Sequence, residues 1–159
     1  DGVDNDCDTG VDEYPAGSAM PCNGCRGLLA PDATYYLCAT PLRDWDSARA
    51  HCKTLLGDLI VVDDDAEHIY IRDQVLGFKA RWWIGLSDAM LEGQFVWVDG
   101  TPLDPAAAQW GNGEPNNGDT EAPGPANCAA MLPDIFPPGA WRDQVCSNLR
   151  ATICEAPGF

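Results

Sequence analysis

Eight cysteines, an even number, at positions 7, 22, 25, 38, 52, 128, 146 and 154 constrain this 159-residue chain more than any other feature. An even set spread over one domain length points to disulfides and to an oxidising compartment. Cys22 and Cys25 stand in a C-x-x-C, the spacing of zinc and redox pairs. A zinc site wants a second Cys or His pair at similar spacing, and His51 and His68 stand alone in the sequence. Disulfides therefore account for the cysteines, and the expected location is secreted or on an extracellular surface. The chain opens on Asp1, and removal of a leader is the matching expectation. No apolar run approaches the roughly 20 residues a helix needs to cross a bilayer, so membrane insertion is not expected.

The formal charge is −16, from 25 acids against 9 bases, which argues against nucleic acid because its binders need a basic footprint. Six Trp, four Tyr and four Phe suit a packed domain rather than disorder. The acids cluster: Asp1, Asp4, Asp6, Asp8, Asp12 and Glu13 fall in the first 13 residues with no base among them. Asp4, Asp6, Asp8 and Asp12 have the alternating spacing of a calcium loop, with Gly10 for a tight turn. The glycine comes one place later than in an EF-hand, and no amphipathic helices flank the loop. A solvated acidic tail is the plain alternative. The segment resembles the short Asp-rich metal-binding repeats of secreted bacterial proteins, especially myxobacterial ones. Residues 1–24 are accordingly read as an Asp-rich metal-binding motif with a linker, and residues 25–159 as the main domain.

Within that domain Tyr35–Cys38 reads as a strand. Trp45, Ala48, Cys52 and Leu55 then fall on one helical stripe, with Asp44 as N-cap and Gly57 as stop. Leu59–Val62 suits a short buried strand, and the Asp63–Asp65 run caps a second helix reaching to about Leu76. Trp82–Leu86, the strongest apolar run, is expected to be a central strand, followed by a strand at Phe95–Val98. From Thr101 to Gly139 the chain is rich in Pro, Gly, Asn and Ala, interrupted by Asn127–Leu132. So long a stretch inside a compact domain is usually functional. Order is expected again over Gly139–Cys146 and Ala151–Glu155.

The long segment contains Trp110-Gly-Asn-Gly-Glu114-Pro115-Asn116-Asn117, with Asp119 and Glu121 just beyond. Hard cations take oxygen ligands, six to eight for calcium. Glu114 and Asn116 flank a proline, and X–Pro bonds alone take the cis form cheaply. A cis turn would aim both side-chain oxygens the same way. An ordinary solvated turn uses the same residue types.

Several independent motifs now stand in order: Cys52 in the first helix, Trp83-Ile84-Gly85-Leu86, Glu92-Gly93-x-Phe95-x-Trp97, Trp110, Glu114-Pro115-Asn116, Cys128, Trp141-x-Asp143, Cys146 and Ile153-Cys154-Glu155. Together they resemble a C-type lectin-like domain over roughly residues 25–156. The resemblance implies an α+β fold, two helices flanking antiparallel sheets, stapled by disulfides, with a long loop region for the ligand. It also implies Cys52–Cys154 and Cys128–Cys146, with Cys25–Cys38 as the extra pair of long-form members. Cys7–Cys22 then remains, although Cys7–Cys25 with Cys22–Cys38 stays open.

In sugar-binding members a calcium ion in the long loop is held by oxygens that also bond the sugar hydroxyls. Carried over residue by residue, Glu114, Asn116 and Asp143 match this set, and Glu121 matches the acid that lies shortly before the cysteine at Cys128, in competition with Asp119. The order Glu-Pro-Asn implies a preference for mannose, fucose or GlcNAc. Asp88, Glu92 and Asn117 resemble an auxiliary calcium site, against the plainer view that these acids cap a loop. Arg142 departs from the pattern, because the family usually has Asn there, whereas Arg offers donors only. Its length lets it reach solvent, so an outward Arg142 beside a weakened calcium site is expected. The competing arrangement folds the guanidinium inward onto Glu114 or Glu121.

The implied function is calcium-dependent binding of glycans with vicinal hydroxyls, free or on a glycosylated surface. The alternative is a protein-interaction or structural module on the same fold. No Ser–His or Cys–His arrangement survives once the cysteines are assigned to disulfides. Glu114 with Asp143 imitates a carboxylate pair, yet metal ligation explains both, and no enzyme is expected.

Overall fold

The computed structural model describes residues 24–31, 33–133 and 136–157. The Asp4, Asp6, Asp8 and Asp12 set and the Cys7–Cys22 pairing lie outside the described residues. Strands β1 (Cys25–Leu29) and β2 (Ala33–Arg43) form an antiparallel hairpin in which Cys25 faces Cys38. Helix α1 (Trp45–Thr54) follows. Its cap is the expected one: the Asp44 carboxylate accepts from the Ser47 N–H at 2.8 Å, and Trp45, Ala48 and Cys52 are buried. Strand β3 (Asp58–Leu59) is shorter than the apolar run Leu59–Val62 suggested. Ile60 remains fully buried but turns from ladder to link: its N–H reaches Ile153 O and its carbonyl accepts from Gly85 N.

Helix α2 (Asp65–Val75) is capped by Asp64, whose side chain accepts from the Glu67 N–H. Then come β4 (Trp82–Ser87), β5 (Val96–Trp97), β6 (Cys128–Leu132), β7 (Ala140–Gln144) and β8 (Arg150–Pro157). The strands form one mixed sheet in the order β1-β2-β8-β4-β6-β7, with β3 joined to β8 and β5 to β4. All pairs are antiparallel except β4 with β8, which run parallel.

Strand β4 is central because both of its faces are covered. Trp82, Ile84 and Leu86 join one apolar cluster with Ile71, Trp97, Met131, Trp141 and Ile153. Trp83 points the other way, into a cluster with Trp45, Ala48, Leu59 and Leu132. That is period-2 alternation with no wet side. Each large apolar side chain so buried contributes about 1.5–3 kcal/mol. The indole N–H groups of Trp45 and Trp83 are satisfied by Ile84 O and Arg43 O at 2.9 and 2.8 Å. Gly85 is required by close approach: a Cβ there would stand 2.7 Å from Ile60 O and 2.8 Å from Val98 Cγ2.

Among the described residues three disulfides brace these layers: Cys25–Cys38, Cys52–Cys154 and Cys128–Cys146. The second spans 102 residues, and a loop of that order is worth about 4–5 kcal/mol in the chain-entropy model. His51 is isolated only in sequence. In the fold its Nε2 lies 3.4 Å from Cys25 Sγ and 3.7 Å from Cys38 Sγ, packed against a bonded disulfide rather than a pair of thiolates. Among the described residues no helix is long and apolar enough to cross a membrane.

Candidate functional site

The long loop is sewn onto β7 by its own backbone. Trp141 N donates to Gln109 O and Gly111 N to Trp141 O, making a bridge between Trp110 and Trp141. The Trp110 ring stands edge-on to Phe95 and Trp141, with centroids 4.7 and 5.9 Å away. This anchors the start of the loop and delivers the next residues to the end of β7. The Glu114–Pro115 bond is cis. Beyond it, Asn116 N and Asn117 N donate to the two carboxylate oxygens of Asp143 at 3.1 and 2.6 Å. Asn117 sits at φ 51°, a left-handed conformation that Asn tolerates, and its Oδ1 accepts from Ala126 N at 2.8 Å. The loop thus folds around a buried carboxylate.

Glu114 stands beside that carboxylate. Burial, then a side-chain hydrogen bond with Asp143 and its negative charge, push the Glu114 carboxyl up to about 7. Arg142 opposes the rise, its Nε lying 3.2 Å from Glu114 Oε1. The expected outward Arg142 is therefore corrected. A carboxylate only 5 % exposed, pressed against a second acid, draws the nearest cation inward. The Arg142 side chain as a whole remains 42 % exposed.

Glu121 is a second correction. It does not join Glu114 and Asp143; Arg81 and Arg150 hold its two oxygens. Burial pushes its carboxyl up, but bonds and charge from Arg150 and Arg81 outweigh this and hold it below the ordinary range. Asp119, the competitor, is also engaged: it accepts from Val145 N, Asn148 Nδ2 and Glu121 N. Asn116 Oδ1 accepts from Gly118 N at 2.7 Å, inside its own turn.

Asp88, Glu92 and Asn117 do come together. Burial and the charges of Asp88 and Asp143 raise the Glu92 carboxyl, while a hydrogen bond with Asn117 lowers it. Asp88 is 2 % exposed, and its Oδ2 accepts from Gly93 N at 2.8 Å. Asp143 is thus the shared neighbour of Glu114 and Glu92. Among the described residues the carboxylates form this string of pairs, and no three of them converge within 4.8 Å.

Three buried oxygens near this string have no hydrogen-bond partner: Glu114 Oε2, Asp88 Oδ1 and Asn127 Oδ1. Buried polar atoms are normally satisfied, so these three oxygens stand out as uncommitted. Sequence reasoning missed Asn127. Its position directly before Cys128 was the available signal, since β6 starts there and Asp88 N donates to Asn127 O at 3.1 Å.

Comparison with known proteins agrees with this architecture. The family model described as lectin C-type domain matches residues 42–156. The human protein "C-type lectin domain family 4 member E" is 30 % identical over 146 residues, covering 92 % of this chain and 64 % of its own length. The chicken "Hepatic lectin" is 33 % identical over 114 residues, 71 % of this chain and 50 % of that protein. The chain therefore spans less than two thirds of these relatives.

Among solved structures, the mouse scavenger receptor C-type lectin carbohydrate-recognition domain superposes with TM-score 0.73 at 26 % identity, covering 84 % of this chain and 96 % of that one. The cow carbohydrate-recognition domain of CD23, crystallised in the presence of GlcNAc2Man3 oligosaccharide, gives 0.70 at 30 % identity, covering 87 % and 99 %. A sheet stitched by Cys52–Cys154, a loop closed by Cys128–Cys146 and a matching family model lead to one conclusion: this chain belongs to the lectin C-type domain family.

Proposed function

We propose that the long loop binds glycans in a calcium-dependent manner, through Glu114, Asn116 and Asp143. The observation that carries this reading is the Glu114–Asp143 pair: the neighbouring Asp143 carboxylate helps to raise the Glu114 carboxyl, and the buried Glu114 Oε2 has no hydrogen-bond partner. Like charges so placed favour a cation. The donors are all oxygens, which fits a hard ion. When bound, calcium would supply coordination to two vicinal hydroxyls, and the same side chains would accept and donate hydrogen bonds to them. The Glu-Pro-Asn order favours mannose, fucose or GlcNAc. Asp88, Glu92 and Asn117, with Asn127, are the oxygen set proposed for an auxiliary calcium. The Asp4, Asp6, Asp8 and Asp12 motif is proposed as a separate site preceding the lectin domain, in a protein acting outside the cell.

A second reading is favoured by the contact between Arg142 and Glu114. In it the guanidinium stands in for the ion, and the fold serves as a protein-interaction or structural module. A glycan array run in calcium and again in EDTA separates the two. Calcium-dependent signal on terminal mannose, fucose or GlcNAc supports the first. Absence of any calcium-dependent signal, with no calcium uptake by residues 25–159 in titration, overturns it.

A further inference from the structure

Arg142 brings to the loop a chemistry that its carboxylates lack. Its Nε faces Glu114, but no hydrogen bond forms there, and Nε is buried without a partner. Its terminal nitrogens have no hydrogen-bond partner among the described residues, and the side chain is 42 % exposed. A guanidinium is a planar fork of fixed charge whose spacing matches a carboxylate or a sulfate bidentately. On this protein, with 9 bases against 25 acids, an exposed fork beside the ligand loop is out of keeping with its surroundings.

The neighbourhood points the same way. Arg142 shares its face of β7 with Gln144, whose Oε1 accepts from Arg150 Nε at 2.8 Å. Arg150 and Arg81 both sit on Glu121, leaving two guanidinium groups on one carboxylate.

We infer that this loop selects acidic saccharides: a carboxylate or sulfate on the sugar pairs with the terminal nitrogens of Arg142 while its hydroxyls meet Glu114 and Asn116. The inference rests on glycan binding by this loop, proposed above, and adds the class of sugar. A neutral sugar at the same place covers the terminal nitrogens of Arg142 without giving them an acceptor, because Glu114 meets only Nε, and unmet buried donors are costly. The overall charge of −16 opposes an anion at long range. That repulsion is screened beyond about 8 Å at physiological ionic strength, whereas a bidentate contact is not.

The test uses the full chain in calcium and three probes: methyl mannoside, the methyl glycoside of mannuronic acid, and 6-sulfated methyl mannoside. Calorimetry reads the ratio of acidic to neutral affinity, a quantity that general damage to the site does not move. The expected ratio is roughly tenfold or more for wild type, as for a hydrogen bond to a charged group. It should shrink in Arg142→Lys, which keeps the charge and loses the fork, and vanish in Arg142→Asn. A gain confined to the mannuronoside identifies a uronate ligand; one confined to the sulfated probe identifies a sulfate ester. If wild type binds methyl mannoside but shows no acidic preference, or the preference survives in Arg142→Asn, this inference is overturned while glycan binding stands. If no probe binds, glycan binding fails and the inference fails with it.

Discussion

Arg142 and Glu114 meet beside the end of β7, Nε to Oε1 at 3.2 Å, so a fixed positive charge stands against the carboxylate proposed above to hold calcium. The cation paired with Glu114 is therefore also the one that would compete with calcium for it.

Arg142→Asn removes that competitor and supplies an amide oxygen. Calcium affinity should rise by roughly tenfold, the scale of one charge-assisted interaction. Binding of methyl mannoside should tighten in step. Calcium titration by calorimetry checks the first and sugar titration at fixed calcium the second. No gain in either would show that residue 142 lies outside the site.

Glu114→Ala should abolish glycan binding and leave the fold intact. The loop remains tied by Trp110 to Trp141 and by Asn116 and Asn117 to Asp143. Removing an acid from beside Asp143 also relieves like-charge repulsion. The melting temperature in EDTA should match or exceed that of wild type, while the stabilisation that wild type gains from calcium should shrink, as mass action requires. Thermal melts of both proteins, with and without calcium, decide it.

Calcium binding should strengthen as pH rises through about 7, where burial and Asp143 have placed the Glu114 carboxyl. Metal ligation requires the deprotonated carboxylate, so affinity is lost as the pH falls below that value. Titrations at pH 5.5 and pH 8 should differ in this sense. An affinity flat across the range would remove Glu114 from the ligand set.

Stability without calcium should run the other way because of Glu155. This residue pairs across from Tyr35 on β2 and Asp58 on β3, and its carboxylate accepts from Val61 N at 3.3 Å. Burial, then the charge of Glu67, push its carboxyl up to about 7. The folded state therefore holds a proton that the unfolded chain releases at the ordinary carboxylate value. Stability is greatest below that value and falls as pH rises towards 7. The contribution should be about 1 kcal/mol after allowance for solvent screening of a partly exposed group. Glu155→Gln keeps an acceptor for Val61 and should flatten the slope. Denaturant melts in EDTA at pH 5 and pH 8 measure it, with Glu114, also raised to about 7, and Glu67, raised chiefly by burial, supplying a residual slope of the same sign in the variant.

Local chemistry was legible in the sequence. Asp44 and Asp64 cap helices because an Asx oxygen before an apolar stripe can do little else there. Trp82–Leu86 is a central strand because its alternating side chains are apolar on both faces. The order of cysteines and Trp motifs sufficed to indicate the family, and Glu114, Asp143, Asp88, Glu92 and Asn117 were singled out and do cluster. Each of these depends on neighbours along the chain or on a motif spacing.

What only the tertiary structure decided is the partner of each charge. Glu121 leaves the loop because Arg81, just ahead of β4, and Arg150 on β8 are brought to it from 40 and 29 residues away. Arg142 turns inward because a long loop returns a buried Glu114 to the end of β7. Asn127 comes to lie beside Asp88, its Oδ1 buried and without a partner, only in the folded chain. The sequence determines which residues carry charge and which bury apolar surface, since both are properties of the side chain itself. Coulomb pairing acts over a few ångströms between groups distant in the chain, and that distance exists only once the sheet has closed.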